Sequence, residues 1–223
     1  MSASTIGINF RGSLAFVTDG TDEVQTDGFG GGFAYPVTLG GWKQGWTVTF
    51  ENAADRNAAI DRRLAGISYK TNTGLSQGTY RVDLPATGSY TIRLALGDDG
   101  SAQSYQYCEI LDNTTSKLII DKNTGTAVDE WYDAAGTKQT LANWPGSNAA
   151  ATLTFATTTL FLKLGTPTAQ AAISTLSHLF ISQITTPTAA LTGTATASIT
   201  EADVVAGGKT IILTLTGDTW IPA

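Results

Sequence analysis

Histidine and cysteine are all but missing from this chain, with one of each among 223 residues. A serine or cysteine nucleophile normally needs a histidine base. The single candidate, His178, lies in the strand-like run SHLFISQI, where a structural role is the expectation. A zinc site would need further His or Cys ligands, which do not exist. Cys108 cannot form an internal disulfide framework. Its place in YQYCEIL points to a buried, inert thiol.

Charge is scarce as well. Only 14% of residues are charged, and 19 acidic against 13 basic side chains leave a net charge of −6. That balance argues against a nucleic-acid surface, which needs clustered Lys and Arg. It argues equally against attachment to anionic lipid. No apolar run approaches the roughly 20 residues that span a bilayer. The opening MSASTIGINF has neither a basic region nor an apolar stretch of signal-peptide type, so synthesis and folding in a cytoplasm are expected.

What is abundant is glycine, threonine, alanine and short alternating runs, a texture that reads as all-β. IGINF (6–10) places Ile6, Ile8 and Phe10 on one face. In GWKQGWTVTF (41–50), Trp42 and Trp46 share a face, which predicts core or interface packing. TYRVDLPATGSYTIRLALGD (79–98) alternates most regularly. Tyr80, Val82, Leu84, Tyr90, Ile92, Leu94 and Leu96 form a dry face, while Arg81, Asp83, Thr91 and Arg93 stay wet. With Pro85 and Gly88 as turn formers, the stretch predicts a β-hairpin. Further strands are expected at 105–112, 117–121, 152–155, 159–165 and 178–184. The one helical candidate is 52–66, from the spacing of Ala53, Ile60 and Leu64 before Gly66. These elements predict a jelly-roll β-sandwich over residues 1–184, followed by a Thr/Ala/Gly-rich β extension at 185–223. The extension is too short to close a core alone, so its strand KTIILTLTG needs a partner.

Candidate functional residues are few. GFGGGF (28–33) lacks the Lys and the strand-to-helix setting of a phosphate loop. Asn113-Thr114-Thr115 matches a glycosylation sequon but reads as an Asx-type turn. Asp98, Asp99, Asp129 and Glu130 supply carboxylates beside turns, without a motif that makes them a hydrolytic pair. Trp131, Tyr132 and Trp144 lie in a turn-rich segment among Asp, Asn and Gln. Flat rings beside hydrogen-bonding groups suit a sugar site, and they equally suit a plug for one end of the sandwich.

INF, RLAGISY, the YRVDLPATGSYTIRLALGD stretch ending in Gly97-Asp98, and TLFLKLG with HLFISQI resemble the galactose-binding-like sandwiches, which include malectin-like and carbohydrate-binding modules. The segment GTATASITEADVVAGGKTIILTLTGDTW is similar to the opening of Ig-like modules on tailed-phage virion proteins. Together these resemblances imply a non-enzymatic virion structural protein. A capsid decoration or a tail or fibre component fits best, made in the host cytoplasm and carried on the virion. The implied partners are further copies of the chain, as a trimer, and virion proteins such as the major capsid protein. The alternative is a carbohydrate-binding module recognising surface glycans through Trp131, Tyr132 and Trp144. Neither reading needs a cofactor, and a structural calcium ion is left open.

Overall fold

The computed structural model describes residues 5–10, 25–26, 34–39, 41–48, 52–55, 62–64, 66–71, 77–144, 146–168 and 173–185. The GFGGGF segment and the expected extension beyond residue 185 lie outside them. Within them are sixteen strands and no α-helix. In chain order these are β1 (Thr5–Asn9), β2 (Gln25–Thr26), β3 (Val37–Leu39), β4 (Trp42–Val48), β5 (Asn52–Asp55), β6 (Gly66–Thr71), β7 (Gly78–Asp83) and β8 (Gly88–Gly97). There follow β9 (Gln106–Asp112), β10 (Thr115–Lys122), β11 (Glu130–Tyr132), β12 (Lys138–Thr140), β13 (Ala151–Phe155), β14 (Thr159–Leu164), β15 (Ile173–Leu176) and β16 (His178–Gln183).

One sheet has the order β12-β11-β8-β16-β1-β2, with β13 also pairing β8, and a second has the order β10-β9-β14-β7-β4-β3. Their facing sides share one core, so the fold is an all-β sandwich. Ile6, Ile8 and Phe10 from β1 and its end meet Tyr80, Val82, Leu160 and Leu162 of the other sheet within that core. Trp42 and Trp46 belong to it as well, as their spacing predicts. Phe10, Trp46 and Tyr80 pack edge to face, with ring centroids 5.1–6.0 Å apart. The Tyr80 hydroxyl, deep in this core, donates to Gln44 Oε1 at 3.0 Å. Cys108 is buried in the same core, and burial pushes its thiol pKa up.

The regular alternation of 79–98 is present, yet the expected hairpin is not. β7 pairs with β14 and β4, whereas β8 pairs with β16, β13 and β11. The Leu84–Thr87 link is an arch that carries the chain from one sheet to the other. Alternation fixes which side of a strand is dry, but it does not fix the neighbour. Here the two dry sides face each other across the core instead of lying side by side. Gly88 has φ +137°, a conformation that L side chains rarely adopt.

Of the helix expected over 52–66, the described residues form none, and residues 56–61 and 65 lie outside them. Asn52–Asp55 is a strand paired antiparallel to Gly66–Tyr69, and Arg62–Leu64 is a single 3-10 turn. Ala, Arg and Leu make this segment locally helix-prone, and the pairing with β6 overrides that preference where it is described. Strand pairing satisfies its backbone and sets Ala54 opposite Ile67. The result is a small third sheet, β15-β6-β5.

Both ends of the sandwich are closed by polar side chains. At the arch, the Tyr90 hydroxyl donates to the Ala86 carbonyl at 2.7 Å and accepts from the Ala86 amide at 3.4 Å. Beside it Asp112 accepts from the amides of Ala156 and Thr157 at 2.7 and 3.1 Å, and from the Thr157 hydroxyl at 2.6 Å. Burial alone would raise this carboxyl. The Thr157 and Ala156 hydrogen bonds, with Lys117 nearby, outweigh it and hold the group below the usual carboxylate range. The neighbouring β9–β10 turn carries Asn113 at φ +53°, the turn role expected of the sequon. At the opposite end, Gln106 is fully buried. Its amide donates to Thr175 Oγ1 at 2.8 Å, and its carbonyl accepts from the Thr175 amide at 2.9 Å, fastening β15 onto β9.

Candidate functional site

The third sheet presents one of its faces to a cleft. On β6, Ile67 and Tyr69 are two residues apart and share a face, as do Ile173 and Thr175 on β15. The register sets Tyr69 opposite Thr175 and Ala54 opposite Ile67. These side chains form one wall of a cleft of about 270 Å³. The facing wall is the loop after β8, through Asp98, Ser101 and Gln103.

That loop is held from three directions. Asp98 Oδ1 accepts from the Gly100 amide at 2.9 Å, closing an Asx turn. Gln103 Nε2 lies 3.4 Å from Asp98 Oδ2 and 3.3 Å from the Ser101 carbonyl, long hydrogen bonds that a ligand can replace. The Gln103 backbone exchanges both hydrogen bonds with Thr126 at 2.8 Å. This bridge needs Gly125, whose φ is +62° and where a Cβ would sit 2.0 Å from the Gln103 carbonyl oxygen. The cleft therefore combines an aromatic ring, a carboxylate, an amide, hydroxyls and two isoleucines. Such a lining hydrogen-bonds a hydroxylated ligand and packs on its C–H faces.

The rings singled out by sequence lie elsewhere and are divided between two environments. Tyr132 faces the main core, buried, with its hydroxyl 2.5 Å from Thr124 Oγ1. Trp131 points the other way, over Gly97, where a Cβ would fall 2.5 Å from its own Cβ. Trp131 is only 1% exposed and offers no free face. Trp144 is half-buried, 5.7 Å from Trp131 and 6.0 Å from His178 edge to face, with the Arg63 guanidinium 5.1 Å from its ring. His178 is buried and bonds Asn9 Oδ1 through Nδ1 at 2.9 Å, across the β1–β16 pair.

The acidic candidates have separate tasks. Glu130 accepts from the Ala127 amide at 2.9 Å and pairs with Lys138 at 3.2 Å; the Ala127 hydrogen bond and Lys138 hold it below the usual range. Asp129 sits at φ +61° in the preceding turn. Asp98 alone of these lines the cleft. Among the described residues, no group of three or more His, Cys, Asp or Glu side chains is placed to hold a metal ion. No described helix is long and apolar enough to cross a membrane. Sequence reading named Asp98 but missed Tyr69, Ser101 and Gln103. The alternation of Ile67 and Tyr69 inside RLAGISY was the available signal.

No family model and no curated protein sequence matches the chain. Among solved structures it is similar to a CBM35 from Cellvibrio japonicus Abf62, with 16% identity and a TM-score of 0.37, over 63% of this chain and 85% of that one. It is also similar to a cleaved adhesin domain of Lys-gingipain from Porphyromonas gingivalis, with 14% identity and a TM-score of 0.32, over 65% and 84%. An Arthrobacter globiformis isomalto-dextranase complexed with panose shows 16% identity and a TM-score of 0.33, over 66% of this chain and 22% of the enzyme.

Proposed function

We propose that the protein is a non-catalytic saccharide-binding β-sandwich of the galactose-binding-like kind, and that the cleft between the third sheet and the Asp98–Gln103 loop holds the sugar. The observation that carries this reading is the cleft lining. Tyr69 and Ile173 supply apolar surface, while Gln103 and Ser101 supply hydrogen-bonding groups converging on the same space, with Ile67 and Asp98, each 1% exposed, within its wall. Binding needs only these side chains, with no cofactor. The particle-bound, oligomeric role implied by residues 185–223 belongs to a segment that, beyond Thr185, lies outside the described residues, and the sandwich adds no support to it.

The test is calorimetric titration with a panel of oligosaccharides, comparing Tyr69→Ala with Trp131→Ala. Tyr69→Ala is expected to weaken binding at least about tenfold with the melting temperature nearly unchanged, because Tyr69 is only half-buried. Trp131→Ala removes a buried ring and is expected to cost about 3–5 kcal/mol of stability. Unchanged sugar binding in a folded Tyr69→Ala protein would reject the cleft as the site.

A further inference from the structure

We propose that β10 is an interaction edge whose occupant is a second copy of this chain, paired antiparallel across a twofold axis at Ile119. Among the described residues β10 closes one side of its sheet and pairs with β9 alone. Its eight residues make it the longest of the described edge strands. Such an edge carries a row of backbone amides and carbonyls that a further strand can satisfy. Ile120 of β10 is buried in the main core, and Leu118 packs half-buried against it. Ile119 therefore points to the opposite side. At 54% it is the most exposed large apolar side chain among the described residues. Thr115, Ser116 and Asp121 are exposed on the same strand. β10 contributes no residue to the cleft, so this surface stands apart from the proposed sugar site.

The run Lys117-Leu118-Ile119-Ile120-Asp121 indicates which occupant fits. Residues directly opposite each other in a sheet share a face, so the register can slide only in steps of two. With Ile119 opposite its own copy, the twofold pair sets Lys117 opposite Asp121 twice, once on each side of the axis. Facing apolar residues and facing opposite charges both stabilise an antiparallel pair. Sliding by two residues sets Ile119 against Lys117 in one direction and against Asp121 in the other, and loses both charge pairs. A lysine on an edge also deters strands that lack a matching acid. The charges are placed for this role. The Asp121 carboxylate accepts from the Tyr105 hydroxyl, and Lys117 reaches Asp112 only at 3.7 Å. The β9–β10 register shifts between Ser116 and Leu118, a bulge that bends the strand there and confines pairing to the 117–121 run. Because the same edge serves in both copies, the pair closes on itself instead of growing into a fibre.

Sedimentation equilibrium of the full chain over a range of concentrations should show a monomer–dimer equilibrium. Ile119→Lys sets like charges face to face on the axis and should weaken dimerisation at least about tenfold. Circular dichroism should show its fold unchanged, since the side chain is exposed. Lys117→Asp and Asp121→Lys should each weaken the dimer, and the two together should restore it, because the exchanged charges face each other again. Ile119→Cys tests the axis itself. Facing residues of an antiparallel pair lie about 4.5–5.5 Å apart at Cα, within disulfide reach, so mild oxidation should link two chains. Cys108 is buried and does not compete. Asp121→Cys, which faces position 117, should not link. A monomer at every concentration with no Ile119→Cys cross-link overturns the proposal. So does a dimer that Ile119→Lys leaves intact, since its contact must then lie on another surface. Absence of rescue by the double exchange overturns the register.

Discussion

At one end of the sandwich the Leu84–Thr87 arch, the β9–β10 turn and the Ala156–Thr158 loop lie together; at the other, the Asp98–Gln103 loop faces the third sheet. Both ends depend on an aspartate that binds amide groups, and they use it differently. Asp112 gathers two amides and a hydroxyl from a distant loop, all within 3.1 Å. The Thr158 carbonyl and the Leu84 amide add a bond of 2.8 Å, so the loops there grip one another. Asp98 instead serves its own turn through Gly100, and its contact to Gln103 is a long 3.4 Å. The tight end is tied together across loops, and the other end leaves an open cleft.

The sharpest way to break this contrast is Asp112→Ala. It leaves the Ala156 and Thr157 amides and the Thr157 hydroxyl without their acceptor at a part-buried site, a loss of about 2 kcal/mol. Urea unfolding should show that loss, while sugar affinity per folded molecule stays unchanged, since the cleft lies at the other end. A large drop in affinity would mean that the two ends are coupled.

Gly125→Ala makes the opposite trade. Its Cβ would meet the Gln103 carbonyl at 2.0 Å and the Ser104 backbone at 2.8 Å, and the residue would have to hold φ +62°. The cost to stability is expected to be roughly 2 kcal/mol. Because the obstruction is backbone, the Asp98–Gln103 loop must move, and sugar binding should fall even though Gly125 is not among the cleft-lining residues. Retained affinity with unmoved amides at 98–104 would show that the loop is not what shapes the cleft.

How far the sequence foretells these two ends depends on whether a feature is local. The faces of β7 and β8 are legible because alternation is written into neighbouring residues, and Trp42 and Trp46 fall in the core for the same reason. That β7 and β8 belong to different sheets is not legible, because pairing is decided by strands 70 or more residues away, such as β14 and β16. Trp131 and Tyr132 are adjacent in a strand, so one must face each way. Only the Gly97 contact shows that Trp131 takes the outer side. The cleft draws its lining from four separate stretches: Ala54; Ile67 and Tyr69; Asp98, Ser101 and Gln103; and Ile173 and Thr175. The Gly97-Asp98 strand end could be seen in sequence. Its partnership with Tyr69 could not, since Ala53 and Leu64 at helical spacing hid a strand pair.

The gentlest probe of the contrast is acid. Asp112 titrates below its ordinary value in the folded protein, and so does Glu130, tied to the Ala127 amide and Lys138. A carboxyl with a depressed folded pKa takes up protons first in the unfolded chain. Its stabilising effect is therefore complete above the ordinary carboxylate range, near pH 4, and is lost as pH falls through the folded value. Chemical denaturation followed downward from neutral pH should show stability falling below about pH 4. Asp112→Asn keeps the side chain's shape but cannot titrate. It should begin less stable at neutral pH and then lose less on acidification than the unaltered protein. Glu130 is partly solvent-exposed, with 25% of its side-chain surface accessible, so its share of the acid loss is the smaller and is weakened by salt. Equal acid slopes for the two proteins would mean that Asp112 does not hold the tight end through its charge, and that neutral hydrogen bonding alone distinguishes it from the end with the cleft.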